Sequence, residues 1–143
     1  MRTIVVGGGI MGLSTAWGLA RDGHAVELFE QGPVPNPLAS SMDEHRLIRH
    51  PYGEHRGYAR MIDDAYRAWN LMWADIGQRL YAPTGTLALN GNGADWAVRS
   101  AMTLATIGKP MTEIAIDELP RRFPLLDTKG VERAYWIDTG GVL

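Results

Sequence analysis

Thr3-Ile4-Val5-Val6-Gly7-Gly8-Gly9-Ile10-Met11-Gly12 is the stretch whose reading decides the fold. Thr3 to Val6 is a short, β-branched apolar run suited to a buried parallel strand. A glycine cluster follows it directly. Ile10, Leu13, Ala16, Trp17 and Ala20 then recur at helical spacing as far as Arg21, and Gly23 stands where a left-handed residue ends a helix. Ala25 to Glu30 reads as a second strand. So short a crossover between two buried apolar strands implies a parallel pair with a right-handed connection.

The glycines carry chemistry as well as geometry. Gly7, Gly9 and Gly12 form G-x-G-x-x-G: the first permits the tight strand-to-helix turn, the second lets backbone approach a pyrophosphate, and the third lets helix and strand pack closely. The N–H groups and dipole at the helix start then attract the negative charge. Glu30 lies 18 residues after Gly12, where a carboxylate accepts hydrogen bonds from a ribose diol. A turn that serves packing alone would not require that acid. Glu30 also disfavours NADP, whose 2′-phosphate calls for an arginine. The fold class expected is therefore α/β, a Rossmann-like FAD- or NAD-binding β-α-β unit followed by the start of a second, mixed-sheet domain. FAD and NAD share the ADP half that the fingerprint holds, so the residues after Glu30 decide between them. An NAD domain continues soon with another helix and strand. Here residues 32–42 carry three prolines and two serines, and a cationic segment comes next, which favours FAD.

Working outward, 143 residues suit one compact domain or part of a larger one. With 45% hydrophobic residues and a formal charge of −2, disorder and nucleic-acid binding are both excluded. No apolar run free of glycine is long enough for a membrane span. The absence of Cys removes disulfides and thiolate chemistry, and fits a reducing, cytoplasmic setting. Twelve of the 14 basic residues are Arg, the fork-shaped cation that grips carboxylates and phosphates.

Arg46 to His50 reads as strand-like, since Pro51 biases His50 away from the helical region. Tyr58 to Leu80 gives the clearest helix, with Tyr58, Ile62, Ala65, Trp69, Met72, Trp73, Ile76 and Leu80 on one stripe and Asp63-Asp64 on a solvated face. Further on come a strand at Thr86–Leu89, a turn at Asn90–Gly93, a helix at Trp96–Ile107, a strand at Met111–Ile116, a helical turn at Glu118–Arg122 and a strand at Ala134–Ile137. The domain boundary is placed near residue 82, giving an FAD-binding part over 1–82, the first segment of a substrate domain over 83–136, and a return toward the FAD domain over 137–143. Residues 84–143 are expected to supply only part of a sheet, leaving the apolar faces of Thr86–Leu89 and Met111–Ile116 without partners.

Arg46-Leu47-Ile48-Arg49-His50-Pro51-Tyr52-Gly53-Glu54, Thr84-Gly85-Thr86-Leu87 and Asp138-Thr139-Gly140-Gly141-Val142-Leu143 carry a family resemblance in order and spacing. The chain resembles the D-amino-acid-oxidase-like FAD-dependent oxidoreductases, in the branch of monomeric sarcosine oxidase and N-methyltryptophan oxidase. The resemblance implies FAD as cofactor and oxidation of the C–N bond of an N-methylated or secondary amino acid, or of an amine, by hydride transfer to the flavin. It implies ADP-binding roles for Gly7, Gly9, Ile10, Met11, Gly12 and Glu30, and places Ser40, Ser41 and His45 in a loop approaching the flavin. Arg46 matches an arginine beside the flavin ring, and Arg49 the arginine that pairs with the substrate carboxylate. Ser41-Met42 departs from the branch, which often has two histidines there. The resemblance also implies that this chain is the N-terminal part of a longer protein, whose remainder would be its partner in the site.

Two other readings stay open on the residues alone: an NAD-dependent dehydrogenase, and a non-catalytic nucleotide-binding module. Arg46 and Arg49 could equally be surface cations paired with Asp43, Glu44 or Glu54. His45, His50 and His55 do not make a metal site, because their five-residue spacing fits no single helix face or strand side.

Overall fold

The computed structural model describes residues 1–143, whose contacts divide into two units, Met1–Arg46 and Leu47–Leu143. In the first unit, β1 (Arg2–Val6) and β2 (Ala25–Phe29) pair in parallel, and α1 (Ile10–Arg21) is the crossover packed on both. The register sets Arg2 opposite Ala25 and Val6 opposite Phe29. Gly23, at φ +81°, donates its N–H to the Ala20 carbonyl at 3.0 Å and closes the helix as its sequence position predicts. Strand β2 stops one residue short of Glu30. From there the chain runs to Arg46 without helix or strand, the outcome its prolines dictate.

The second unit contains β3 (Leu47–Ile48), α2 (Arg56–Ile76), β4 (Ala82–Pro83), β5 (Thr86–Gly91), α3 (Trp96–Ala105), β6 (Thr112–Ile114), α4 (Leu119–Arg122), β7 (Val131–Ile137) and β8 (Gly141–Val142). Its main sheet is antiparallel in the order β5-β7-β6, with Ala88 opposite Tyr135 and Ile114 opposite Ala134. A small second sheet runs β3-β8-β4. Strand β8 pairs with residues 47–48 on one side and 82–83 on the other, which is why contacts part the chain after Arg46 while the sequence suggests a boundary near 82.

Along α2, Ile62 and Trp73 of the expected stripe are buried, but Ala59 is buried instead of Tyr58, Tyr58 and Ile76 are exposed, and the helix spans Arg56–Ile76 before Gly77 rather than reaching Leu80. The expectation that β5 and β6 lack partners is corrected. Both flank β7, and buried clusters cover the sheet: Ala88, Ala97 and Tyr135 under α3, and Ile114, Leu119 and Ala134 beside α4. The predicted turn at Asn90–Gly93 also shrinks, because Gly91 still pairs with Val131 across an irregularity and Asn90 is buried. The Asn90 carboxamide oxygen accepts the Ala97 N–H at 2.7 Å, a job no apolar residue could do at the start of α3.

Candidate functional site

The β1–α1 turn builds its cradle from backbone. Gly7 sits at φ +101° and donates its N–H to the Phe29 carbonyl at 2.8 Å, tying the turn to the end of β2. A Cβ on Gly12 would drive into the carbonyl oxygen of Gly7, so only glycine lets α1 approach β1 this closely. A Cβ on Gly9, by contrast, would meet only Ser41 Oγ and the Ala39 methyl at 3.8–3.9 Å, so the fold itself has room there. Gly9 accepts the first intrahelical bond, from Leu13 N–H at 2.9 Å. The N–H groups of Ile10, Met11 and Gly12 precede that bond and have no helical carbonyl to serve. Ser41 Oγ accepts the Ile10 N–H at 3.2 Å, bringing the Ser40–Ser41 loop over the helix start.

Glu30 is held from three directions. Its Oε2 accepts the Gly8 N–H at 2.6 Å, and its Oε1 accepts Asn36 Nδ2 at 2.9 Å and the Gly32 N–H at 3.1 Å. These donors, Gly8 foremost, hold its carboxyl below the usual glutamate range, so it stays ionised and acceptor-only at neutral pH. Oε2 keeps acceptor capacity for a hydroxyl. Asn36, buried in the Pro-rich loop, spends its Oδ1 on the Leu38 N–H at 2.9 Å and so fixes the amide that orients Glu30. Sequence reading missed Asn36; its one signal was a lone amide between two prolines. A cleft of about 180 Å³ opens along Gly8, Ile10, Leu13, Asn36, Ala39 and Ser41. An anion-attracting helix start, a backbone bare of Cβ and an ionised acceptor at the end of β2 fit the ADP half of a dinucleotide.

The remaining candidates fall differently. The side chains of Met11 and His45 are exposed. Arg46 pairs with Asp43 at 3.6 Å and donates to the Ser40 carbonyl, closing the loop on itself. Arg49, in the second unit, has no carboxylate partner among the ion pairs of the chain. Its guanidinium donates to the Pro51 carbonyl and lies over the rings of Tyr52 and Trp96, at 4.7 and 5.0 Å from their centroids. Glu54, the acid five residues along the chain, is taken by Arg99.

His50 and Asp63 correct the sequence reading most. Asp63 is not simply a solvated residue of α2. Its Oδ1 receives His50 Nε2 at 3.1 Å and Lys109 Nζ at 2.8 Å. With Asp63 accepting from Nε2–H, Nδ1 of His50 accepts the Thr139 hydroxyl at 2.8 Å. The imidazole is 1% exposed and stacks on Tyr66 at 5.7 Å. Burial pushes its pKa below the ordinary histidine value, with Lys109 adding to the effect and Asp63 opposing it. His55 meets Tyr58 edge-on at 5.9 Å instead of a metal ligand, and nowhere do three His, Cys, Asp or Glu side chains converge.

Known proteins bear on this geometry. Peroxisomal sarcosine oxidase of Mus musculus is 31% identical over 140 residues, covering 98% of this chain and 36% of the relative. Monomeric sarcosine oxidase of Bacillus sp. (strain B-0618) is 27% identical over 141 residues, with the same two coverages. Among solved structures, a point mutant of NikD, an unusual amino acid oxidase, superposes with a TM-score of 0.79 at 22% identity over 98% of this chain and 36% of its own. The chain thus spans about a third of the length of the relatives it matches. The shared fold is a Rossmann-like FAD-binding architecture. The family profile described as DAO, FAD dependent oxidoreductase, matches residues 2–143, and the chain belongs to that family.

Proposed function

We propose that this chain supplies the nucleotide cradle and a substrate-carboxylate clamp of an FAD-dependent oxidoreductase acting on an N-methylated or secondary amino acid, or on a related amine. FAD, the cofactor of the family, would bind through Gly7, Gly9, Ile10, Met11, Gly12 and Glu30, with Ser40, Ser41, His45 and Arg46 in the loop beside it. It supplies a two-electron acceptor when bound. Arg49 does the substrate work. The observation that carries this reading is a half-buried guanidinium with no acid on it, set over two aromatic rings. Such a group can take a carboxylate through two parallel N–H bonds and thereby orient the carbon next to the amine.

The domain reading belongs to the proposal: 1–82 as the start of the FAD-binding domain, 83–136 as the first substrate-domain segment, 137–143 as the return. The rest of a longer polypeptide would complete the site. Charge argues against a nucleic-acid partner, and no helix is long and apolar enough to cross a membrane. We also propose a cytoplasmic location, to be decided by cell fractionation.

Arg49→Lys in the full-length enzyme tests the clamp. It keeps the charge and loses the fork. Loss of a charge-assisted pair costs about 1.5–3 kcal/mol, so kcat/KM for carboxylate substrates should fall roughly ten- to hundred-fold. Flavin content should hold, and an amine without the carboxylate should lose little. Equal losses on both substrate types would remove Arg49 from the clamp.

A further inference from the structure

Three independent contacts fasten the Arg49–Glu54 segment to the first turns of α3. The Gly53 N–H donates to Ser100 Oγ at 2.8 Å, and that fully buried hydroxyl donates in turn to the Trp96 carbonyl at 2.8 Å. Arg99 spans Asp95, at 2.7 Å, and Glu54. Gly53 itself adopts φ +59°, and a Cβ there would press on Trp96 Cδ1 and Nε1 at 3.2–3.3 Å. The third contact is the Trp96 ring lying under the Arg49 guanidinium. Trp96 remains 40% exposed, so its indole is no part of the core and acts through what it touches.

An arginine on a flexible stem is a poor clamp unless something fixes its plane. Tyr52 lies three residues away on the same loop, so it moves with Arg49. Trp96 belongs to a helix anchored on the main sheet, and its ring is the fixed reference. Aromatic contact removes rotamers without using the N–H donors that a carboxylate needs, apart from the one already given to Pro51.

We propose that Trp96 is a positioning residue for Arg49, setting the enzyme's affinity for the substrate carboxylate through the indole face; this rests on Arg49 being the clamp. The consequence is confined to binding. Trp96→Leu keeps an apolar side chain but removes the π face, so Arg49 keeps its charge and loses its fixed plane.

The experiment uses the full-length holoenzyme and two readouts. Acetate, a bare carboxylate, is titrated by its effect on the flavin absorbance, and kcat and KM are measured with a carboxylate substrate and with a carboxylate-free amine. Trp96→Leu should weaken acetate and raise the carboxylate KM by roughly three- to tenfold, the range of a partly desolvated cation–π contact. Saturated kcat and the amine KM should stay within about twofold of wild type, and Trp96→Phe should recover most of the loss. If Arg49→Lys weakens acetate while Trp96→Leu does not, the positioning role is overturned and the clamp stands. If Arg49→Lys leaves acetate untouched, the clamp fails and the positioning role goes with it. Equal losses on both substrates would make Trp96 a folding residue and overturn the proposal. Should Trp96→Leu not fold, phenylalanines of increasing ring fluorination at position 96 keep the shape. Acetate affinity must then fall with each fluorine, and a flat series overturns the proposal.

Discussion

At the scale of single residues, Gly9 and Gly12 separate ligand from fold. A methyl on Gly12 collides with the Gly7 carbonyl, a backbone atom that cannot step aside without unseating α1. Gly12→Ala should therefore destabilise the protein by about 1–3 kcal/mol and lower its melting temperature. A methyl on Gly9 meets nothing closer than 3.8 Å. Gly9→Ala should leave the melting temperature of the apoprotein within a degree or two, yet purify with far less FAD, because in the proposed site the methyl would occupy the closest backbone approach to the pyrophosphate. Flavin content equal to the parent in Gly9→Ala would show that the pyrophosphate does not lie on this turn. The contrast is sharper than either variant alone, since a general folding defect would move both.

Between elements, His50, just after β3, bonds to Asp63 of α2 and to Thr139 before β8, and Asp63 carries the link on to Lys109 beyond α3. Its sign in pH is determined by burial. The unfolded chain takes a proton near the ordinary value of 6.5, and the folded one only at lower pH. Stability is thus fully present above about pH 6.5 and falls as pH drops below it, by at most about 1.4 kcal/mol per pH unit. Lys109 repels the protonated ring while Asp63 attracts it, and burial outweighs that attraction. Asp63 adds a further loss at lower pH, because Lys109 holds its carboxyl below the usual range. Denaturant midpoints at pH 7 and pH 5 should differ clearly in the wild type and much less in His50→Gln; the same slope in both would place the titration elsewhere. None of this network could be read from the sequence. The α2 periodicity puts Asp63 off the apolar stripe, where acids are usually solvated, and its partners come from loops with no period at all. The same holds for β4 and β8, two-residue strands that exist only because they meet. The β1-α1-β2 unit was legible for the opposite reason: strand run, glycine turn, helix stripe and cap lie within 30 consecutive residues, and each local preference agrees with the others. The resemblance gave Arg46 and Arg49 different roles, but the residues alone left both open as surface cations paired with a nearby acid. The structure sets them apart: Arg46 pairs with Asp43 at 3.6 Å in the open, and Arg49 rests on aromatic rings.

Over the whole molecule, the two units differ in how well they cover their sheets. The β5-β7-β6 sheet buries Ala88 and Tyr135 against α3 and Ile114 and Ala134 against α4. The parallel β1-β2 pair leaves Ile4, Val6 and Phe29 at 62%, 83% and 55% exposure, although parallel strands are normally covered on both faces. Bare apolar strands with free edges recruit partners. The 143 residues expressed by themselves should therefore self-associate at micromolar concentration, and Val6→Lys should reduce that tendency. Sedimentation of a monodisperse monomer that unfolds cooperatively would refute this.

Strand β8, seated between β3 and β4, also imposes an order in time. Leu47 cannot find its partner Val142 until nearly all of the second unit has left the ribosome. At about 5–20 residues per second, that interval is on the order of 5–20 s, long compared with helix or hairpin formation. Throughout it the His50 imidazole waits without the Thr139 hydroxyl, and residues 47–48 and 82–83 offer unpaired backbone to any passing strand. The first unit needs no such wait, because both of its strands and the helix between them emerge together. A nascent chain of this protein would have its β1-α1-β2 unit formed while the unit from Leu47 onward was still open, and chaperone capture should concentrate in that interval.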